Sequence, residues 1–139
     1  METLPPVNTS AGRVVIVRPD QQLDSKQRLP YFAGISAVTA GAAAISMNLI
    51  VIPPGGAAEP HIHQGYETAI YLLQGEVETF YGPGLKQSIT SRTGDFIFIP
   101  ANLPHQPRNL SATEPALAIV TRNDPNEQES VIPYVLSED

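Results

Sequence analysis

An all-β sandwich or barrel is the fold class this sequence predicts, and three observations predict it. The 14 prolines and 10 glycines are spread along all 139 residues and leave little room for long helices. Between them lie short runs of β-branched and aromatic residues, each bounded by turn residues, at a spacing typical of sandwiches and barrels. The one Ala-rich stretch, Thr39–Ser46, is broken by Gly41 and runs directly into an apolar segment.

The candidate strands follow in order. RVVIV (13–17) comes first, then ISMNLIVI (45–52), entered through a loop over Ser36–Ala44. ETAIYLL (67–73) and EVETFY (76–81) are separated by Gln74-Gly75, which reads as a tight hairpin. The polar QSITS (87–91) leads through Thr93-Gly94-Asp95 into DFIFIP (95–100), an apolar run that predicts a strand buried between two sheets. ALAIVT (116–121) and SVIPYV (130–135) complete the set, with an exposed loop expected over TRNDPNEQES (121–130). RVVIVRP and SVIPYV are expected to add strands at sheet edges or to pair across a dimer. One domain is expected over residues 1–139, with its barrel at about residues 31–122.

Composition removes several functions. A net charge of −6 argues against nucleic acid as a partner, since phosphate binding needs a basic patch. The absence of cysteine excludes disulfides, thiolate metal sites and cysteine nucleophiles. METLPPVNTSAGR has no basic and apolar leader pattern, and no run of about 18 apolar residues exists, so a cytoplasmic protein with no membrane partner is expected.

The chain has 3 histidines, and they form one pattern. His61 and His63 flank Ile62, so on a strand both imidazoles face one side, with Cα atoms about 6.6 Å apart. Such a pair can converge on one ion. Glu67 follows at the start of the next strand, and His105 lies at the end of DFIFIP among prolines. Each residue alone has a plainer reading: a polar sheet edge for His61 and His63, a surface charge for Glu67, a loop residue for His105. What favours a metal site is that every histidine of the chain falls in this pattern.

Two motifs built on these residues resemble those of the cupin superfamily. In the first, five residues separate Gly55 from His61-Ile62-His63, three residues lead to Glu67, and Gly75 closes the block. In the second, five residues separate Gly94 from Pro100, His105 follows, and three residues separate it from Asn109. Two departures are visible. Seven residues rather than six separate Glu67 from Gly75, and Asn102 replaces the glycine after Pro100; asparagine is the next best residue where φ is positive. Neither departure, on this alignment, touches a ligand.

The resemblance implies a double-stranded β-helix (jelly-roll) barrel, as a single cupin domain. It implies one divalent metal ion (Fe, Zn, Mn or Ni) held by His61, His63, Glu67 and His105, with Glu67 also able to serve as a catalytic base. Open coordination positions imply an enzyme acting on a small oxygenated molecule, of dioxygenase, isomerase, decarboxylase or cyclase type. The alternative is a non-catalytic cupin that senses or stores a small molecule or metal. The intact histidine set disfavours the metal-free histidine–tyrosine chemistry of the phosphosugar epimerases that share the barrel. A homodimer is expected by resemblance. Tyr66 and Tyr71 either line the cavity or pack, and Arg92 and Arg108 are the nearest candidates to anchor an anionic substrate, against a default of surface exposure.

Overall fold

The computed structural model describes residues 12–19, 23–24, 29–126 and 131–136. Two antiparallel sheets face each other. The first takes the order β1 (Leu23–Asp24), β2 (Pro30–Ile35), β3 (Ser46–Ile52), β10 (Ala116–Arg122), β5 (Thr68–Gln74) and β8 (Phe96–Ile99). The second runs β11 (Val131–Pro133), β4 (His61–His63), β9 (His105–Asn109), β6 (Glu76–Tyr81) and β7 (Gln87–Arg92). The result is a jelly-roll β-sandwich, as expected.

Alternation decides which side chains meet between the sheets. In β3 the buried positions are Ser46, Asn48, Ile50 and Ile52; in β10 they are Ala116, Ala118, Val120 and Arg122. These strands pair in register, Ala116 opposite Ile52 and Arg122 opposite Ser46, so one inward row is aliphatic at one end and polar at the other. The aliphatic end joins Leu29, Tyr31, Ala58, Leu72 and Val77 in a single core. Burying each large aliphatic chain there contributes about 1.5–3 kcal/mol.

Several connections differ from the sequence reading. Gln74-Gly75 is no hairpin: β5 and β6 lie in different sheets, and the chain crosses between them here. Gly75 takes a φ of 115°, and a Cβ at this position would stand 2.9 Å from the Ala116 Cβ, so a glycine is required. DFIFIP is an edge strand, not a strand buried on both faces. Ile99 is buried, while Phe96 and Phe98 lie on the outer face with 84% and 59% of their surface exposed. Within Ser36–Ala44 there is one helical turn, α1 (Ala37–Ala40). The Ser36 Oγ accepts from the Thr39 N–H, the Thr39 Oγ1 accepts from the Ser36 N–H, and Gly41 ends the turn at φ 76°. The RVVIVRP segment forms no strand, whereas Val131–Pro133 pairs with His61–His63 inside the same chain. Residues 127–130 of the expected loop lie outside the described residues.

Candidate metal centre

His61 and His63 are buried, and Ile62 between them is only partly so, as a strand with one face inward requires. β4 pairs with β9 through His61 and His105, which stand directly opposite each other. The second motif locks onto the first at a further point. Asn102 adopts φ 66°, its backbone N–H donates to the His63 carbonyl, and its Oδ1 accepts from the Gly65 N–H. Asn109 serves the same end of the fold as a buried hub, its Nδ2 shared among the carbonyls of Ile52, Pro53 and Glu114.

The three imidazoles form one cluster. Ring centroids are 4.2 Å apart for His61 and His105, 4.8 Å for His61 and His63, and 4.9 Å for His63 and His105. One ring nitrogen from each lies within 4.8 Å of the others. The His61 Nδ1 donates to the Glu59 carbonyl at 2.7 Å, and the His105 Nδ1 donates to the Leu103 carbonyl at 2.8 Å. A carbonyl only accepts, so both Nδ1 atoms carry the proton and both Nε2 lone pairs are left free. The His63 Nδ1 is 2.7 Å from the Tyr66 hydroxyl, which occupies the same position on the third ring.

Burial keeps these rings neutral. Loss of solvent, followed by the neighbouring His105, pushes His61 down to about 3; burial pushes His105 down to about 4 and His63 lower still. Neutral imidazoles with the proton on the far nitrogen, as in His61 and His105, are the form that ligates a metal. Mutually facing lone pairs in a buried space are unfavourable until a cation lies between them, and the donor set therefore fits a divalent ion. Burial raises Tyr66 to about 12, so its phenol stays protonated.

Glu67 is the expected ligand that the structure does not bring to the cluster. It is exposed on the outer face, where its backbone N–H and carbonyl bond to Asn123. The physical reason is the strand period of two, by which a shift of one residue moves a side chain to the opposite face. Thr68, Ile70 and Leu72 point inward along β5, leaving Glu67 in phase with the outward set. The extra residue between Glu67 and Gly75 is thus the departure that matters. With six residues left between it and Gly75, the motif position is Thr68, which faces inward and is 1% exposed.

Opposite Thr68 in the ladder stands Arg122, itself only 4% exposed. Thr68, Arg122 and the three histidines line one cavity of about 70 Å³ between the sheets. Burial lowers the Arg122 pKa, opposed by the nearby Tyr66 and Asp124, but a guanidinium keeps its charge inside proteins. Sequence reading overlooked Arg122, although ALAIVTR placed it in phase with Ala116, Ala118 and Val120. The two arginines it did single out face solvent: Arg108 pairs with Glu78 at 3.1 Å, and Arg92 is exposed on β7. Tyr71 packs outward against Phe96, ring centroids 4.8 Å apart, while Tyr66 reaches His63.

A jelly-roll sandwich with a buried three-histidine cluster between its sheets, of a kind that can hold a metal ion, defines the class. The chain belongs to the cupin domain family, whose model matches residues 48–122. The fold is shared with Lactobacillus farciminis oxalate decarboxylase in its formate complex (TM-score 0.68, 23% identity, 81% of this chain and 33% of that one). It is shared also with Bacillus subtilis oxalate decarboxylase (TM-score 0.68, 16% identity, 82% and 29%). The TT1209 protein of Thermus thermophilus matches with TM-score 0.56 at 28% identity, over 72% of this chain and 87% of that one. The chain spans about a third of the length of the oxalate decarboxylases it resembles. No curated protein matches the sequence. Among the described residues, no helix is long and apolar enough to cross a membrane.

Proposed function

We propose that this cupin is a mononuclear metal-dependent enzyme of small oxygenated organic substrates, with His61, His63 and His105 as the protein ligands. The observation that carries the proposal is the set of three buried imidazoles, gathered on one cavity with Nδ1 partners behind them. The Glu59 and Leu103 carbonyls and the Tyr66 hydroxyl orient the rings, and the aliphatic walls exclude water. A divalent ion bound there supplies Lewis acidity and open positions for substrate oxygen atoms. Imidazole donors without thiolate suit iron, zinc, nickel or manganese; Bacillus subtilis oxalate decarboxylase, which shares the fold, has Mn(II) centres.

With Glu67 on the outer face, no carboxylate among the described residues joins the cluster, and Glu67 has no part as a base in this proposal. The homodimer belongs to the same reading and draws support from Phe96 and Phe98, exposed on the outer face of edge strand β8. Elemental analysis of the purified chain tests the metal reading. One divalent ion per chain, lost in His61→Ala and His105→Ala, is the expected result; a wild-type chain that holds no metal would overturn it. Turnover assays with the loaded protein on small keto, enol and hydroxy acids then separate an enzyme from a storage protein.

A further inference from the structure

We propose that the cavity in front of the histidines binds a small carboxylate anion, with Arg122 and Thr68 as its protein partners. This deepens the metal-enzyme reading above and names the substrate class of the same site. The starting observation is a buried cation that makes no ion pair with any described residue. Arg122 is 4% exposed, and its Nε and Nη1 are buried with no hydrogen-bond partner among the described residues. The sole ion pair among those residues is Arg108 with Glu78, on the surface. Asp124 is the acid nearest in effect, but it makes no ion pair with Arg122 and its Oδ1 accepts from the Asn126 N–H.

An unpaired charge in such a place is costly even after relaxation. Native proteins keep one where something binds to it. The neighbouring atoms point the same way. Thr68 Oγ1, opposite Arg122 on one side, and Ser46 Oγ, opposite it on the other, are buried and unpartnered, as is Asn48 Nδ2 one step along β3. Two hydroxyls, an amide N–H₂ and a guanidinium form a row of donors that no acceptor among the described residues satisfies, and of these Thr68 and Arg122 line the cavity. A carboxylate is acceptor-only and matches that row. A divalent ion on neutral imidazoles adds positive charge to the same cavity, and the outward Glu67 cannot offset it.

Size narrows the anion. A cavity of about 70 Å³ holds a few water-sized groups, against several hundred Å³ for drug-sized ligands. Beyond Thr68 and Arg122 the walls include Ile50, Leu72, Ile99 and Val120. A short-chain aliphatic acid fits this combination; an aromatic or polyketide substrate does not.

Calorimetric titration of the full chain with acetate, and with acetamide as its neutral isostere, tests the proposal on metal-loaded and chelator-treated protein. Acetate should bind and acetamide should not, and Arg122→Met should weaken acetate roughly tenfold to a hundredfold while retaining wild-type metal content. As a readout that needs no variant, acetate should raise the unfolding temperature of the wild-type chain above that in chloride at equal ionic strength. Acetate affinity unchanged in Arg122→Met, equal binding of acetamide, or no acetate effect on the wild-type chain would each overturn the proposal. If the chain retains no metal yet still binds acetate through Arg122, the anion site stands and the metal reading falls.

Discussion

Arg122 stands opposite Thr68 in the ladder between β10 and β5, and both side chains face the cavity that the three histidines line. Glu67, one residue before Thr68, faces the other way. This single register relation sets the chemistry of the site. The inward position on β5 carries a hydroxyl in place of a carboxylate, beside a buried guanidinium, so the described residues offer three neutral imidazoles and one fixed positive charge.

Tyr66→Phe isolates the support behind one ligand. It removes the hydroxyl 2.7 Å from the His63 Nδ1 and leaves the ring packing in place. Loss of such a partner typically costs about 10- to 100-fold in metal affinity, so competition with a chelator should show a fall of that size with little change in unfolding midpoint. Unchanged affinity would mean that His63 is held by packing alone.

Stability of the metal-free protein should fall as pH drops below the ordinary histidine range. His61 and His105 titrate in the folded state at about 3 and about 4, and unfolded histidines at about 6.5. Above that upper value both states are neutral and pH has no effect through these groups. Between it and the folded values the unfolded chain binds more protons, so each histidine lowers stability by up to about 1.4 kcal/mol per pH unit. His63 acts in the same direction. Urea unfolding at pH 7, 6 and 5 checks this, and a flat profile over that interval would contradict neutral, buried imidazoles.

Gly75→Ala tests the crossover between the sheets. Its φ of 115° and the 2.9 Å approach to the Ala116 Cβ combine backbone strain with overpacking, for an expected loss of about 2–4 kcal/mol. Gly55→Ala, with nothing within 4 Å, is the control and should cost less. Equal urea midpoints for the two variants would refute a steric role for Gly75.

Much of this molecule is legible in its sequence, for identifiable reasons. Proline and glycine spacing exposes the strand plan, and H-x-H alternation puts His61 and His63 on one face because the strand period is local. Asn102 at positive φ was readable because its role rests on backbone geometry within the motif, whereas Asn109 stood out only as a motif position, its hub bonding carbonyls distant in sequence. What failed depends on partners distant in sequence. Gln74-Gly75 looks like a hairpin until β10 takes β5 into the other sheet, and an all-apolar DFIFIP cannot reveal that β8 is an edge. Glu67 misled because a carboxylate draws attention to itself, whereas the register counted back from Gly75 selects Thr68. Arg122 was in phase with its inward neighbours, but a charge at the end of an apolar strand reads as a terminus until the opposing Thr68 and Ser46 are in view.

X-ray absorption at the edge of the bound metal, on wild-type protein and on Glu67→Gln, tests the central claim most directly. The account predicts scattering from three imidazoles and a spectrum that Glu67→Gln leaves unchanged. A protein carboxylate in the coordination shell that disappears in Glu67→Gln would contradict it.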